Sequence, residues 1–465
     1  MTTSNVIAPR RERALQSRIT GRVLVPGDPG YDQGRRGWNL AVDQRPSMVV
    51  YAESVADVVE SVRFARSQGM RIAPQGTGHG AGPLEPLEGV LLLKTSAVRG
   101  VRVFPSARTA RAEAGALWQD VTVPAGRRGL AALAGSSPNV GVTGYTLGGG
   151  IGWLARKYGL AANSLTAVEL VIPEGRRVRA DADHEPDLFW AVRGGGGSVG
   201  VVTALEMTLY PVGQLYAGAL FFPIERSSEV LHAWRELTES APDELTSLGR
   251  LLRLPPAPEL PEALRGRAFV AVEAAYVGDT RHRAELLRPL RALGAELDTF
   301  AVIPAPALGQ LHMDPAQPVP AAGDGGLLAD LPSDAIDKLI ELAGPGIQSP
   351  LLSVELRHLG GALARTDSHG GAQARIEAGY AMFAVGIAPT VELRQAVNTH
   401  VQEIKHALRP WRTRYDYYNF VETPSEAVNL LPESSYQRLR EIKARYDPDQ
   451  TIVSAHPVRL SEPVT

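Results

Sequence analysis

Apolar and polar positions along the chain fall into two textures that change near residue 212. In the first, the apolar run Met48 to Tyr51 predicts a short strand. Val55, Val58, Val59, Val62 and Ala65 then recur at the helical period and predict a helix with one apolar stripe. Ser54 reads as its N-cap, Asp57 as the acidic residue three positions on, and Gly69 as its stop. Arg71-Ile72-Ala73 is a second strand, so residues 48–82 read as strand–helix–strand with a glycine loop at the exit. Further strand-like runs lie at 89–94, 110–115 and 201–209. After Pro211 the glycine clusters stop. Runs at 215–222, 247–254, 267–276, 296–303, 350–358 and 376–387 predict a mostly antiparallel sheet. Helices at 280–292 and 391–408 separate some of them, the latter striped by Leu393, Val397, Val401, Ile404 and Leu408. Pro-rich 255–261 and Ala/Gly/Pro-rich 304–326 read as loops, and 21–46 as an irregular entry segment around a buried aromatic, Trp38.

This pattern predicts an α+β protein: a flexible leader over 1–20, a first domain over 21–211, and a second α+β domain over 212–410. The segment 411–465 is expected to return to the first domain. At 465 residues the chain exceeds the size at which single cores stop growing. A formal net charge of −2 gives no case for a nucleic-acid partner. The absence of cysteine excludes disulfides, thiolate metal sites and cysteine nucleophiles, and fits a cytoplasmic setting. Arg10, Arg11 and Arg13 have no apolar segment behind them, so the leader reads as untargeted and frayed. No apolar stretch is long enough to span a bilayer, and no membrane partner is expected.

Chemistry concentrates where glycine does. Pro74-Gln75-Gly76-Thr77-Gly78-His79-Gly80-Ala81-Gly82 can form an anion-binding nest with a histidine inside it. Gly135 to Gly141 and Gly144 to Gly152 are too glycine-dense for a packed strand or a stable helix, and are expected to lie along something large. Gly195-x-Gly197-x-x-Gly200 has dinucleotide-loop spacing, but it follows helix-like Asp187–Val192 and enters a strand, the reverse of a Rossmann loop. Gly150-x-Gly152-x-x-Ala155 lacks a strand before it. Asp181, Asp183 and His184 read as a solvated turn rather than a metal site.

Five separated motifs carry a resemblance: loop 74–82, segment 135–152, cluster 194–202, Tyr417-Tyr418-Asn419-Phe420 and Tyr446-Asp447-Pro448. In this order and spacing the chain resembles, from about 20 to 460, the FAD-linked oxidases of the p-cresol methylhydroxylase and vanillyl-alcohol oxidase superfamily, in their berberine-bridge-enzyme-like branch. The resemblance implies a two-domain FAD-binding fold with an antiparallel-sheet substrate domain covered by helices. It implies that Gln75, Gly76, Thr77, Gly78, Gly80 and Gly82 cradle the FAD pyrophosphate, and that His79 bonds covalently to the flavin 8α carbon. Ser137, Pro138, Val140, Gly141, Gly144, Tyr145, Gly148, Gly149, Gly150 and Gly152 would line the cofactor. Gly200, Val201 and Val202 would edge it, and Tyr417 and Asn419 would reach it from the C-terminal segment. The loop departs from its relatives at Gln75 (arginine there), Thr77 (glycine), Gly80 (serine) and Ala81, where some members use a tyrosine. Ser137 stands where bicovalent members place a second, cysteinyl link, so only a single histidyl link is expected.

The stretch Ser353 to Gly361 resembles the family strand that bears an active-site acid. Alternation puts Ser353, Glu355 and Arg357 on one face and Val354, Leu356 and His358 on the other. Glu355 is the expected base, with Tyr145, Tyr417 and Tyr415 as auxiliaries, while Glu273 and Tyr276 read as structural. The implied reaction is hydride removal from an alcohol, amine or activated C–H of a small, specialised-metabolite substrate, with O2 as acceptor and no metal. A dehydrogenase, an oxygenating enzyme and a non-catalytic sequestering flavoprotein are the alternatives.

Overall fold

Parallel pairing begins the fold, because a helix separates its strands. β1 (Arg22–Leu24), β2 (Met48–Tyr51), β3 (Arg71–Gln75) and β4 (Val90–Lys94) form a sheet in the order β1-β2-β4-β3. β4 runs parallel to β2 and β3, and β1 antiparallel to β2. α1 (Val55–Ser67) crosses from β2 to β3 and buries Val58, Val62, Phe64 and Ala65 against Val50, Ile72 and Leu91. Ser54 caps it by accepting from the Asp57 N–H, while the Asp57 carboxylate accepts from the N–H groups of Glu53, Thr20 and Gly21. In this computed structural model the described residues are 11–460 except 85, 259, 280–282 and 366–368, so the first half of the predicted leader lies outside them. The second half is not frayed: Leu15 is fully buried in the α1 core.

The entry segment is also more ordered than its composition suggests, holding β1 and a helical turn at Tyr31–Gly34. Its buried aromatic is Tyr31, whereas Trp38 is half-buried.

A five-stranded antiparallel sheet follows, built from β5 (Val101–Phe104), β6 (Thr109–Glu113), β7 (Leu165–Val171), β8 (Arg177–Ala180) and β9 (Val201–Thr208) in the order β5-β6-β9-β7-β8. Between β6 and β7 lie α2 (Trp118–Gly126) and α3 (Val142–Leu147). The glycine-dense segment therefore does contain a short helix, through Gly144, which buries Val142 and Leu147. α4 (Pro186–Val192) runs into the third glycine cluster and β9 follows it, the helix-then-strand order that argued against a Rossmann loop.

From β10 (Gln214–Pro223) onward the chain builds one eight-stranded antiparallel sheet. Its other strands are β11 (Leu245–Arg253), β12 (Ala268–Tyr276), β13 (Leu297–Asp298), β14 (Ala301–Pro304), β15 (Ala321–Leu328), β16 (Ser353–His358) and β17 (Tyr380–Ile387). Their order is β13-β10-β12-β11-β16-β17-β15, with β14 also on β10. One face is covered by α5 (Ser227–Glu239), α6 (Ser333–Ala343) and α7 (Val391–Ala407), which bury Trp234, Ile336, Val397 and Val401 against Val354 and Leu356. In the α7 stripe Leu393 is exposed and the rest is buried. The predicted helix 280–292 is broken into Arg283–Leu286 and Arg288–Ala292, Pro289 opening the second piece; its first three residues fall outside the described ones.

β15 was hidden by its composition, since Ala321-Ala322-Gly323-Asp324-Gly325-Gly326 reads as loop. A Cβ on Gly325 would lie 2.7 Å from the Met382 carbonyl and 2.8 Å from Phe420 Cβ, so close approach requires the small residue. The C-terminal α8 (Glu433–Tyr446) buries Leu439 and Ile442 in the same core as Leu188 and Val192. Beyond it, Ile72 donates to the Thr451 carbonyl and accepts from the Val453 N–H. Among the described residues no helix is long and apolar enough to cross a membrane.

Candidate active site

The uncovered face of the large sheet and the three glycine clusters enclose a cavity of about 980 Å³. Its size and its mix of backbone, aromatic and charged walls suit a cofactor with a small substrate. All predicted residues of loop 74–82 line it, as do Ser137, Val140, Gly141, Gly144, Tyr145, Gly200, Val202, Tyr417 and Asn419. Pro138, Gly148, Gly149, Gly150, Gly152 and Val201 do not. Their places are packed instead: a Cβ on Gly152 would lie 1.8 Å from the Ala134 carbonyl, and Val201 is buried in the α1 core. These glycines shape the cavity from behind. Ser198 lies in a Gly196-x-Ser198-x-Gly200 spacing, but it is buried and precedes a strand, the opposite of a nucleophile elbow.

On the loop side, β3 ends at Gln75 and Gly78 takes φ +81, turning His79 toward the cavity. The His79 ring stacks on the Trp38 indole with centroids 4.4 Å apart and planes at 15°. Its Nδ1 lies 2.8 Å from Thr77 Oγ1. Burial lowers its pKa to about 4, opposed only in part by Asp314, so the imidazole is neutral. Behind the loop, Gln75 donates from Nε2 to Gln44 Oε1 at 2.9 Å and accepts at Oε1 from Lys94.

On the sheet side, Ser353, Glu355 and Arg357 face the cavity while Val354 and Leu356 join the core beneath, as the alternation predicts. His358 points the other way, 3.0 Å from Arg156. Glu355 belongs to a larger cluster. β11 places Arg250 directly opposite it in the ladder, and Glu273 comes from β12 on the far side of β11. His312, from the loop before β15, bridges the carboxylates: Nδ1 is 2.6 Å from Glu273 Oε2 and Nε2 is 3.0 Å from Glu355 Oε2. Arg250 pairs with Glu273 at 3.0 Å, and Arg357 Nε donates to Glu355 Oε1 at 2.7 Å.

Burial and Arg250 push the His312 pKa down, but Glu273, Asp314 and Glu355 outweigh them and hold it up to about 9. Burial raises the Glu355 pKa, yet Arg357 and His312 bring it well below the usual carboxylate range. Glu273 is likewise held down, against burial, by Arg250 and His312. Glu273 is thus part of this charged cluster, whereas Tyr276 packs away from the cavity with Leu245 and Ala274.

Of the tyrosines, Tyr145 is held in place through its carbonyl, which accepts from Asn419 at 2.9 Å. Its buried hydroxyl has no partner among the described residues, and burial raises its pKa. The Tyr417 hydroxyl accepts from the Gly150 N–H at 2.8 Å and from Asn419 at 3.2 Å, and burial raises its pKa too. Tyr415 is not at the cavity; its hydroxyl accepts from the Glu433 N–H. At the predicted solvated turn, the Asp181 carboxylate accepts from the N–H groups of Asp183 and His184.

The loop side fits FAD by its own geometry: a Cβ on Gly80 or Gly144 would meet nothing within 4 Å, so bare backbone fronts the cavity there. Comparisons with known proteins agree. Residues 46–181 match an FAD binding domain family. The chain is 36% identical over 192 residues to (R)-6-hydroxynicotine oxidase of Paenarthrobacter nicotinovorans, taking in 41% of this chain and 42% of that one. It therefore spans less than half the length of that relative. An uncharacterized FAD-linked oxidoreductase of Bacillus subtilis, YvdP, is 26% identical over 93% of this chain and 96% of its own. Among solved structures, the wild-type Physcomitrella patens BBE-like 1 protein superposes with a TM-score of 0.83 at 20% identity, covering 97% of this chain and 100% of that one.

Proposed function

We propose, for a chain that belongs to the FAD-linked oxidoreductases of the p-cresol methylhydroxylase and vanillyl-alcohol oxidase superfamily, that it oxidises a small substrate at a carbon bearing an alcohol, amine or other activating group. FAD would be tethered by a single bond to His79, with O2 as final acceptor. The observation that carries this reading is one cavity with glycine loops on one wall and the Glu355–Arg357–His312 cluster on the other.

FAD, when bound, supplies the two-electron acceptor. The chain's own residues do the rest. A neutral His79 ring, with Nδ1 beside Thr77 and its face against Trp38, offers Nε2 as the nucleophilic nitrogen for a tether. Tyr145 and Tyr417 stay protonated and serve as hydrogen-bond donors, not bases. Both oxygens of Glu355 are engaged, so its role is to orient Arg357 and His312 and to take a substrate proton only together with the cluster. A neutral amine, which loses hydride with help from its own lone pair, asks least of such a wall.

Absorbance of the purified protein, followed by acid precipitation and a denaturing gel viewed under ultraviolet light, tests the reading. Yellow protein whose fluorescence stays with the polypeptide supports a tethered flavin. Colourless protein that FAD cannot reconstitute would sink it. Reoxidation of the photoreduced protein in air tests the acceptor, and slow reoxidation would remove O2 from the proposal.

A further inference from the structure

The buried lysines differ in one respect. Lys94, Lys405 and Lys443 are 6%, 8% and 3% exposed. Lys405 is paired with Asp324, and Lys443 with Asp447 at 2.7 Å. Lys94 has no carboxylate among the described residues. Its Nζ donates to the Arg36 carbonyl at 2.6 Å and to Gln75 Oε1, both neutral. Burial lowers its pKa to about 8 and no anion opposes that shift. A buried ammonium without a counterion is costly, and proteins rarely keep one without use for it.

Its position says where the counterion belongs. Gln75, which accepts from Lys94, lines the cavity at the head of the glycine loop, and so does the next residue after the lysine, Thr95. A Cβ on Gly78 would lie 3.2 Å from Gln75 Oε1, so the amide packs directly under the loop. Gln44 fixes the other end of that amide. The lone cation therefore stands behind the floor of the loop, with backbone and one amide between it and the cavity.

We propose that Lys94 is the cation that holds the FAD pyrophosphate, acting through Gln75 and the loop above it, as a positioning residue whose counterion arrives with the cofactor. This rests on FAD being the ligand of the cavity. The charge stands one strand away from the loop, on β4 opposite Gln75 in the ladder, and the amide relays it. Because the dianion is not in direct contact, low local dielectric is what carries the attraction.

The test is an FAD titration of apoprotein by flavin fluorescence in a His79→Ala background, which keeps binding reversible. It runs from about pH 6.5 to about pH 9.5, across the ordinary and buried lysine range. Lys94→Met and Lys94→Arg are compared, with a melting temperature for each apoprotein. The parent is expected to lose affinity as pH rises through the lysine's titration. Lys94→Met should weaken binding by about tenfold or more at neutral pH and flatten the profile. Its apoprotein should melt no lower than the parent, since a lone buried charge has gone. Lys94→Arg should keep the parent's affinity to within about threefold and also lie flat, arginine staying charged throughout.

Lys94→Met binding within about twofold of the parent, or melting several degrees lower as an apoprotein, makes Lys94 a purely structural residue and overturns the proposal. Should Lys94→Met not fold, Lys94→Arg decides, and a profile as steep as the parent's overturns it. A parent that does not bind FAD at any pH removes the cofactor reading, and this inference with it. FAD binding that ignores Lys94 removes this inference alone.

Discussion

Nε2 of His312 lies 3.0 Å from Oε2 of Glu355, across the gap between a loop and a strand. With Glu273 on the other ring nitrogen, the imidazolium bridges two carboxylates, whose remaining charge is met by Arg250 and Arg357. Its folded pKa, raised to about 9, stands above the ordinary 6.5. Its stabilisation is therefore complete below the ordinary value and is lost as pH rises through about 9. Melting temperature should fall between about pH 7 and about pH 10, and His312→Gln, less stable than the parent at neutral pH, should lack that His312-linked fall. An identical fall in His312→Gln would place its origin elsewhere.

Glu355→Gln keeps the size of the side chain and removes the charge that Arg357 and His312 face. We expect anaerobic flavin reduction by substrate to slow by about a hundredfold or more, with the resting flavin spectrum unchanged. Stopped-flow absorbance measures it. A rate within about twofold of wild type would take Glu355 out of the chemistry.

His79→Ala should release its flavin on denaturation, leaving a dark band on the gel while native protein stays yellow. Thr77→Ala frees Nδ1 of the same ring from its neighbour at 2.8 Å and should slow attachment without abolishing it. The rate at which fluorescence becomes acid-stable on adding FAD to apoprotein checks both. Attachment as fast as wild type in Thr77→Ala would deny the threonine any part in orienting the ring.

Trp234 is fully buried beneath the large sheet and donates from Nε1 to Ser247 at 3.0 Å. Trp234→Ala should cost about 3–5 kcal/mol in a urea titration, mostly from the cavity left behind. A loss under about 1 kcal/mol would mean that the sheet and helices close over the gap.

Gly152→Ala sets a methyl group 1.8 Å from the Ala134 carbonyl, which is backbone and cannot swing aside. A loss of about 1–3 kcal/mol or more is expected, together with weaker FAD retention, because the segment must shift as a unit. Calorimetry and flavin content of the same preparation read the two effects.

Local pattern made some of the site legible and hid the rest. Glu355 and Arg357 could be placed on one face because strand geometry has a period of two, and the loop around His79 because four glycines in nine residues have few other uses. His312 left no such trace. It lies on a loop, where no period applies, and its partners are 39 and 43 positions away in opposite directions. Arg250 and Glu273 did leave a signal: each is a charge set among apolar residues in mid-strand, and two opposite charges so placed on neighbouring strands suggest a buried pair. Lys94, ending the run Val90-Leu91-Leu92-Leu93, is the same kind of signal with no opposite charge in reach. β15 reads as loop for the converse reason, since Gly325 answers to Met382 and Phe420, which only the fold brings near.

The contact of Ile72 with residues 451–453 has a consequence for the order of assembly. The strand that leads into the glycine loop is flanked by residues made some 380 positions later, and α8, also late, closes the core that α4 opens. A growing chain thus exposes its glycine loop well before the segment that flanks the loop's strand has been made. A cut or truncation anywhere between the loop and residue 451 would therefore leave β3 without its second flank, however intact the loop itself.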